Sequence, residues 1–229
     1  MQKIDTKSIT LVILSGFLLR IFLASALGQF TVYVDSISFQ AWSLKLAAEG
    51  FKNFYGFVWS DYLPGYLYVL WLMGQIYNLL QASAINIPID IFYKLPSILA
   101  DCANALFIFL IAQKFTTFKK AVIAAVVFLV NPAIFANSTL WGQADSFMAL
   151  FLLSSFYYLL EGKFWASAIL LGIGQTVKPI AILALPIYLL YILFKKNSKS
   201  LIAYLAIFGA TIILLFIPFN NTNNLFQFI

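Results

Sequence analysis

The chain has 229 residues, of which 63% are hydrophobic and only 10% are charged, and its formal net charge is +6. A soluble domain carries about 25% charged residues, so this composition excludes a water-soluble globular fold. The basic residues stand in short clusters between apolar runs and show no nucleic-acid-binding pattern. Histidine is absent and Cys102 is the one cysteine, which excludes an intrachain disulfide and removes the commonest general base.

Apolar runs predict an all-α fold, a polytopic integral membrane helical bundle that forms one domain over residues 1–229. Several runs approach the roughly 20 residues that cross a bilayer. They cover residues 8–28, 64–81, 92–113, 120–137, 146–160, 164–177, 180–194 and 200–218. We interpret residues 1–28 as a retained first helix rather than a cleaved signal peptide, because the stretch is long, contains Arg20 and lacks a clear cleavage site.

The segment 29–63 is polar and aromatic. Its stretch SISFQAWSLKLAAEG has apolar residues at helical spacing, which predicts an interfacial helix with one apolar side. Run 64–81 is the least certain span, because it contains Gly74, Gln75 and Asn78.

Lysine clusters orient the spans, since basic loops stay on the inner side. If all clusters are inside, run 64–81 dips or lies along the interface, residues 29–91 form an outer loop, and the WGQAD motif at 141–145 lies outside. The alternative makes run 64–81 a full span and reverses the later helices, which exposes three lysine clusters. The clusters contain Lys3 and Lys7, Lys119 and Lys120, Lys163, and Lys195, Lys196 and Lys199.

Residues 164–194 then form a hairpin with arms of about 14–15 residues, or roughly 22 Å. This is less than the roughly 30 Å hydrocarbon core of a bilayer. Pro179 breaks the helix at the joint GIGQTVKP. We therefore expect Lys178 to point into a protected cavity.

Ionisable groups inside a membrane are functional hypotheses by default, which singles out Arg20, Asp101 and Lys178. The alternative for Arg20 and Asp101 is a structural ion pair. Asp35 could act as a general base or, with Asp145, hold a divalent metal; no other cofactor is predicted. The alternatives are helix caps, from Asp35 to a helix starting at Ser36 or Ser38 and from Asp145 to one starting at Ser146.

Taken together, carboxylates, a lysine and aromatic residues on one membrane face suit a lipid-phosphate substrate that carries a sugar. The chain carries, in this order, the motifs VDSISFQAWSLKLAAEG, DYLPGYLYVLW, KLPSILAD, NPAIFANSTLWGQADS and QTVKP. Over about residues 8–195 the chain resembles bacterial relatives of GPI mannosyltransferase II, within the GT-C superfamily of membrane glycosyltransferases.

The resemblance implies an inverting transfer of a sugar, mannose, on the non-cytoplasmic face of a bacterial inner or plasma membrane. The donor would be a polyprenyl- or dolichyl-phosphate sugar and the acceptor a lipid or glycan. Asp35 would be the catalytic base. The expected substrate-binding residues are Asp61, Asp145, Gln143, Trp141, Lys178 and Arg20.

Two departures from the family accompany this interpretation. Leu63 stands where relatives have proline, and the chain ends at Ile229 whereas relatives continue, so we expect it to be C-terminally incomplete. Two other functions are alternatives to a glycosyltransferase. One is a membrane transporter or lipid flippase, which the broken helix near Lys178 also suits, and the other is a structural subunit.

Overall fold

The computed structural model describes residues 6–28, 33–52, 54–195 and 198–220. Lys3, Lys196 and the segment 221–229 lie outside this description. Within it the chain is helical and contains no strand, which confirms the predicted all-α membrane architecture. The helices are α1 (Thr6–Ala26), α2 (Tyr33–Glu49), α3 (Phe54–Phe57), α4 (Pro64–Ala82), α5 (Ile89–Gln113), α6 (Phe118–Val130), α7 (Pro132–Phe135), α8 (Asp145–Leu160), α9 (Phe164–Val177), α10 (Leu185–Lys195) and α11 (Ser198–Phe216).

Three helices of the described chain are long and apolar enough to cross a membrane, namely α1, α5 and α11. Helix α6 and the segment 132–141 form a fourth span if their 47° bend is counted as one crossing. The 19-residue helix α4 does not belong to this set, as expected if run 64–81 is not a normal span. Helices α8 and α9 have only 16 and 14 residues.

Small residues allow the central helices to approach closely. Helix α5 packs against α1, α6 and α8, and Ala105 of α5 faces Ala121 and Ala125 of α6 in a buried cluster. Membrane helices associate through such tight packing, because lipid tails are as apolar as their side chains. A second buried cluster joins α8, α9, α10 and α11, and it contains Leu159, Leu171 and Tyr204.

Helix α2 differs from its prediction. Its buried side, with Phe39, Trp42 and Leu46, packs on α4. Its exposed side is also apolar, so the apolar residues are not confined to one side. The exposed stripe consists of Val34, Ile37, Ala41, Leu44 and Ala48. The spacing of apolar residues in the sequence did not reveal the second apolar side, because the residues of the two stripes alternate along the helix.

The helices are interrupted at two places, after α7 and after α9. After α7 the chain forms a π-helical turn over Ala136–Trp141, and Gly142 ends it with a left-handed φ of 81°. After α9 the backbone of Lys178 is extended, and a 3₁₀ helix follows over Pro179–Ala184. The predicted helix break at Pro179 is therefore present.

Candidate active site

A cavity of about 330 Å³ lies where four distant segments meet. They are the first turn of α2, the loop before α4, the break after the π-helical turn and the break after α9. The cavity is lined by Asp35, Asp61, Tyr62, Gln143, Val177, Lys178, Pro179 and Ile180. Four predicted site residues are thus brought together: Asp35, Asp61, Gln143 and Lys178.

One oxygen of Asp35 is held by two donors of the WGQAD motif. Trp141 Nε1 donates to Asp35 Oδ2 at 2.5 Å, and Gln143 Nε2 donates to the same oxygen. Asp35 lies inside the first turn of α2, which begins at Tyr33. The proposed cap of a helix starting at Ser36 or Ser38 is therefore wrong. The Asp35 side chain joins α2 to the WGQAD break.

Asp145 forms an ion pair with Lys178. Lys178 Nζ lies 2.5 Å from Asp145 Oδ1, and Asn137 Nδ2 donates to Asp145 Oδ2 at 3.0 Å. Asp145 is the first residue of α8, but the capping position is Ala144 and no side chain caps the helix. The structure thus favours the ion pair over the helix-cap interpretation. The carboxylate links the π-helical turn to the end of α9.

Tyr62 connects the two charged groups. Its hydroxyl donates to Gln143 Oε1 at 2.8 Å, and Lys178 Nζ lies 6.0 Å from the centre of its ring. The Tyr55 hydroxyl in turn donates to the Tyr62 backbone carbonyl at 2.8 Å. Tyr62 therefore contacts both the amide that holds Asp35 and the cation that Asp145 holds.

Burial raises the pKa of the Tyr62 phenol above its usual value, and the neighbouring Tyr66 and the carboxylates of Asp145, Asp61 and Asp35 raise it further. The hydroxyl consequently keeps its proton at neutral pH. It can donate a hydrogen bond but is not suited to act as a base.

Arg20 does not line the cavity. Its side chain is 0% exposed, and its Nε lies 3.2 Å from Oδ2 of Asp101, which is 1% exposed. This geometry corresponds to the alternative of a structural ion pair between α1 and α5, and the substrate contact expected for Arg20 stays a prediction.

The described residues contain no group of three or more His, Cys, Asp or Glu side chains suited to a metal ion. Both carboxylates suggested as metal ligands contact protein side chains instead. Asp35 accepts from Trp141 and Gln143, and Asp145 contacts Lys178 and Asn137. The donor set does not fit a divalent metal in this arrangement.

Two residues of the site were not identified from the sequence. Tyr62 lies in the DYLPGY motif, whose tyrosines fit an interfacial aromatic belt equally well. Asn137 has no sequence signal beyond its place eight residues before Asp145. A π-helical turn, which frequently occurs at functional sites, brings this amide to the carboxylate.

The model of glycosyltransferase family 87 matches residues 81–227, which is more than half of the chain. The chain belongs to glycosyltransferase family 87. It is accordingly an integral membrane glycosyltransferase of the GT-C type, acting on lipid and glycan substrates in the membrane. The closer resemblance to GPI mannosyltransferase II stays a prediction.

The match to family 87 includes part of the site. Trp141, Gln143, Asp145 and Lys178 lie inside the matched range, whereas Asp35 precedes it. Asp61 also precedes the range. No curated protein matches the chain.

Proposed function

We propose that this family 87 protein transfers a sugar, mannose, from a polyprenyl- or dolichyl-phosphate donor to a hydroxyl of a lipid or glycan acceptor. The transfer inverts the anomeric centre and takes place on the non-cytoplasmic face. One observation carries the proposal: a carboxylate, Asp35, and an ammonium group, Lys178, line the same cavity. A displacement at a sugar phosphate requires both charges, one for the acceptor and one for the leaving group.

In the proposed reaction, the acceptor oxygen attacks C1 of the donor sugar from the side opposite the phosphate. The bond between C1 and the phosphate oxygen breaks, and the lipid phosphate leaves with the bonding electrons. Asp35 takes the proton from the attacking hydroxyl. Because bond formation and bond cleavage occur on opposite sides of C1, the product has the inverted configuration.

The contacts of Asp35 suit this role. Both donors, Trp141 and Gln143, meet Oδ2, and no described residue donates to Oδ1. One oxygen is therefore fixed while the other can accept the acceptor's proton. A general base has to lie within hydrogen-bonding reach of that proton, and a fixed carboxylate keeps this geometry through the reaction.

Lys178 can neutralise the phosphate without leaving Asp145. An ammonium group has three donors, and the ion pair with Asp145 uses one direction. The backbone of Lys178 is extended at the helix break, and its side chain lines the cavity. In the proposed complex Asp145 thus orients Lys178, and Asp61 binds sugar hydroxyls.

The position of the lysine clusters supports the assignment of the membrane face, because acidic residues of the cavity and basic loops fall on opposite sides under the positive-inside rule. The resemblance of the ordered motifs to bacterial relatives of GPI mannosyltransferase II supports mannose as the sugar.

The experiment is transfer of labelled mannose from polyprenyl-phosphate mannose by the Asp35→Asn variant, reconstituted in lipid vesicles. We expect turnover to fall by about 10²- to 10⁴-fold, the usual contribution of a general base, while donor binding persists. Asp90→Asn is the matched control, because Asp90 lies in the first turn of α5 and does not line the cavity. Near-normal turnover of Asp35→Asn contradicts the proposal.

A further inference from the structure

We propose that Tyr62 is a positioning residue, which acts through Gln143 to fix the orientation of the Asp35 carboxylate. This inference rests on the proposed function of Asp35 as the base. It assigns Gln143 a positioning role as well, in place of the substrate-binding role expected from the sequence.

The hydrogen-bonding capacity of the three side chains allows one arrangement only. An ionised carboxylate accepts and cannot donate, so Gln143 has to present its NH₂ group to Asp35. The amide oxygen of Gln143 then points the other way and accepts a proton from the Tyr62 hydroxyl at 2.8 Å. Without the Tyr62 hydroxyl, the amide oxygen of Gln143 loses its donor, and only the contact with Asp35 restricts the side chain.

The backbone of Gln143 is fixed on both sides. Its carbonyl accepts from Ser97 Oγ at 2.7 Å, and its N–H donates to the Asn137 carbonyl at 3.1 Å. Gly142, directly before it, adopts the left-handed conformation that turns the chain. The remaining freedom of Gln143 lies in its side-chain torsions, which the hydrogen bond from Tyr62 restricts.

Tyr62 is itself held against the helix that carries Asp35. Its ring lies 5.4 Å from the ring of Phe39 in an edge-on contact and 5.8 Å from that of Trp42. Phe39 and Trp42 follow Asp35 on α2 at intervals of about one and two helical turns. A rigid aromatic unit on α2 therefore directs the Tyr62 hydroxyl, and the Tyr62–Gln143 pair returns to Asp35 on the same helix.

The position of Tyr62 also keeps the contacts of the Asp35 carboxylate separate from those of the Lys178 ammonium group. The Tyr62 ring lies 6.0 Å from Lys178 Nζ, whereas its hydroxyl contacts the amide that holds Asp35. Asp145 satisfies Lys178 from another side. The carboxylate of Asp35 is thus held by neutral donors while the lysine has its own counter-ion, which leaves both charges available to their respective parts of the substrate.

The first test is Tyr62→Phe, which keeps the ring and removes the hydroxyl. We expect kcat to decrease about fivefold, as for the loss of one neutral hydrogen bond, with KM for the donor unchanged. Tyr68→Phe is the matched control, because Tyr68 lies on the adjoining helix α4 and its hydroxyl donates to the Leu215 carbonyl rather than to Gln143. The control should retain its kcat.

The second test is Gln143→Glu, which replaces the donor to Asp35 by a second carboxylate. The added negative charge should move the acidic limb of the kcat/KM–pH profile to higher pH. Asp61 and Lys178 also face the cavity and Asp145 contacts Lys178, but all three are unchanged in this variant. An acidic limb that stays in place would show that the ionisation controlling the rate is not that of the carboxylate beside Gln143, and would contradict the inference.

The third test introduces Tyr62→Phe into Asp35→Asn. If Tyr62 acts through Asp35, the second substitution causes no further loss of turnover, because the two effects are not additive. A full fivefold loss in this background overturns the inference, as does a wild-type kcat for Tyr62→Phe beside an inactive Asp35→Asn. An active Asp35→Asn enzyme instead overturns the proposed function itself.

Discussion

Replacement of Gly65 by alanine tests whether the packing of α4 on α9 holds the cavity in shape. Gly65 is the second residue of α4 and is buried. A Cβ at this position would lie 2.6 Å from the Thr176 carbonyl carbon and 2.7 Å from its oxygen. These are backbone atoms, which cannot rotate away as a flexible side chain can. Helices α4 and α9 would have to separate.

The separation can be scaled from the contact. To reach an ordinary distance of 3.4 Å from the Thr176 oxygen, the backbones have to move apart by about 0.7 Å. Overpacking of this kind lowers the free energy of unfolding by about 1–3 kcal/mol. Since Thr176 precedes Lys178 by two residues, the cation moves as well, and a displacement near 1 Å can lower the rate about 100-fold.

The assay measures unfolding of the purified protein in mixed detergent micelles, together with sugar transfer in vesicles. Gly209→Ala is the matched control, because Gly209 lies within α11 and a Cβ there meets no atom within 4 Å. Alanine is the better helix former by roughly 0.5–1 kcal/mol, so this variant should be as stable as the wild type or more so. Wild-type stability and activity of Gly65→Ala would refute the reasoning.

Two further predictions concern the ion pairs. Arg20→Leu should lower the free energy of unfolding by about 3–5 kcal/mol, since it leaves Asp101 buried without its cation, and the double variant with Asp101→Leu should recover most of this loss in the same denaturation assay. Equal stability of the single and double variants would contradict this. Lys178→Gln should change stability by less than about 1 kcal/mol, because its pair with Asp145 is partly exposed. Its turnover should still fall at least tenfold in the vesicle assay, and unchanged turnover would exclude a role for Lys178 at the phosphate.

The helical class and the break at Pro179 could be predicted from the sequence because each depends on local chemistry. Apolar runs can satisfy their backbone groups in a membrane as helices. Proline lacks the N–H that a continuing helix needs and disfavours the helical conformation of the residue before it, which is Lys178 at this break; Pro96, by contrast, lies inside α5. The exposed apolar side of α2 could not be predicted, because which stripe is buried depends on the contact with α4. That contact joins residues far apart in the sequence.

The composition of the cavity was predictable to a lesser extent. Asp35, Asp61, Gln143 and Lys178 stand out because polar side chains are rare in this chain, and they do meet. Arg20 stands out equally but pairs with Asp101 inside the bundle. Because polar residues are rare in a membrane protein, each one stands out in the sequence. The sequence does not show whether such a residue pairs with another residue of the protein or with the substrate.

The hydrogen-bond partners within the cavity were beyond the sequence. Tyr62 and Asn137 contribute ordinary polar groups whose importance comes only from direction and distance. Asn137 reaches Asp145 because the π-helical turn changes the angular position of the residues that follow it. Such a local widening of the helix leaves no composition signal that distinguishes it from a regular turn.

The same π-helical turn makes the site sensitive to the number of residues in the chain. A π-helical turn has i→i+5 hydrogen bonds, one residue more than the α-helical pattern, so the loss of one residue between Ala136 and Trp141 would allow this turn to adopt α-helical spacing and would change the direction of the side chains that follow. Trp141 and Gln143 would then point away from Asp35, with every side chain of the site still present. Sequence length in this one turn is therefore as much a determinant of the active-site geometry as the identity of its residues.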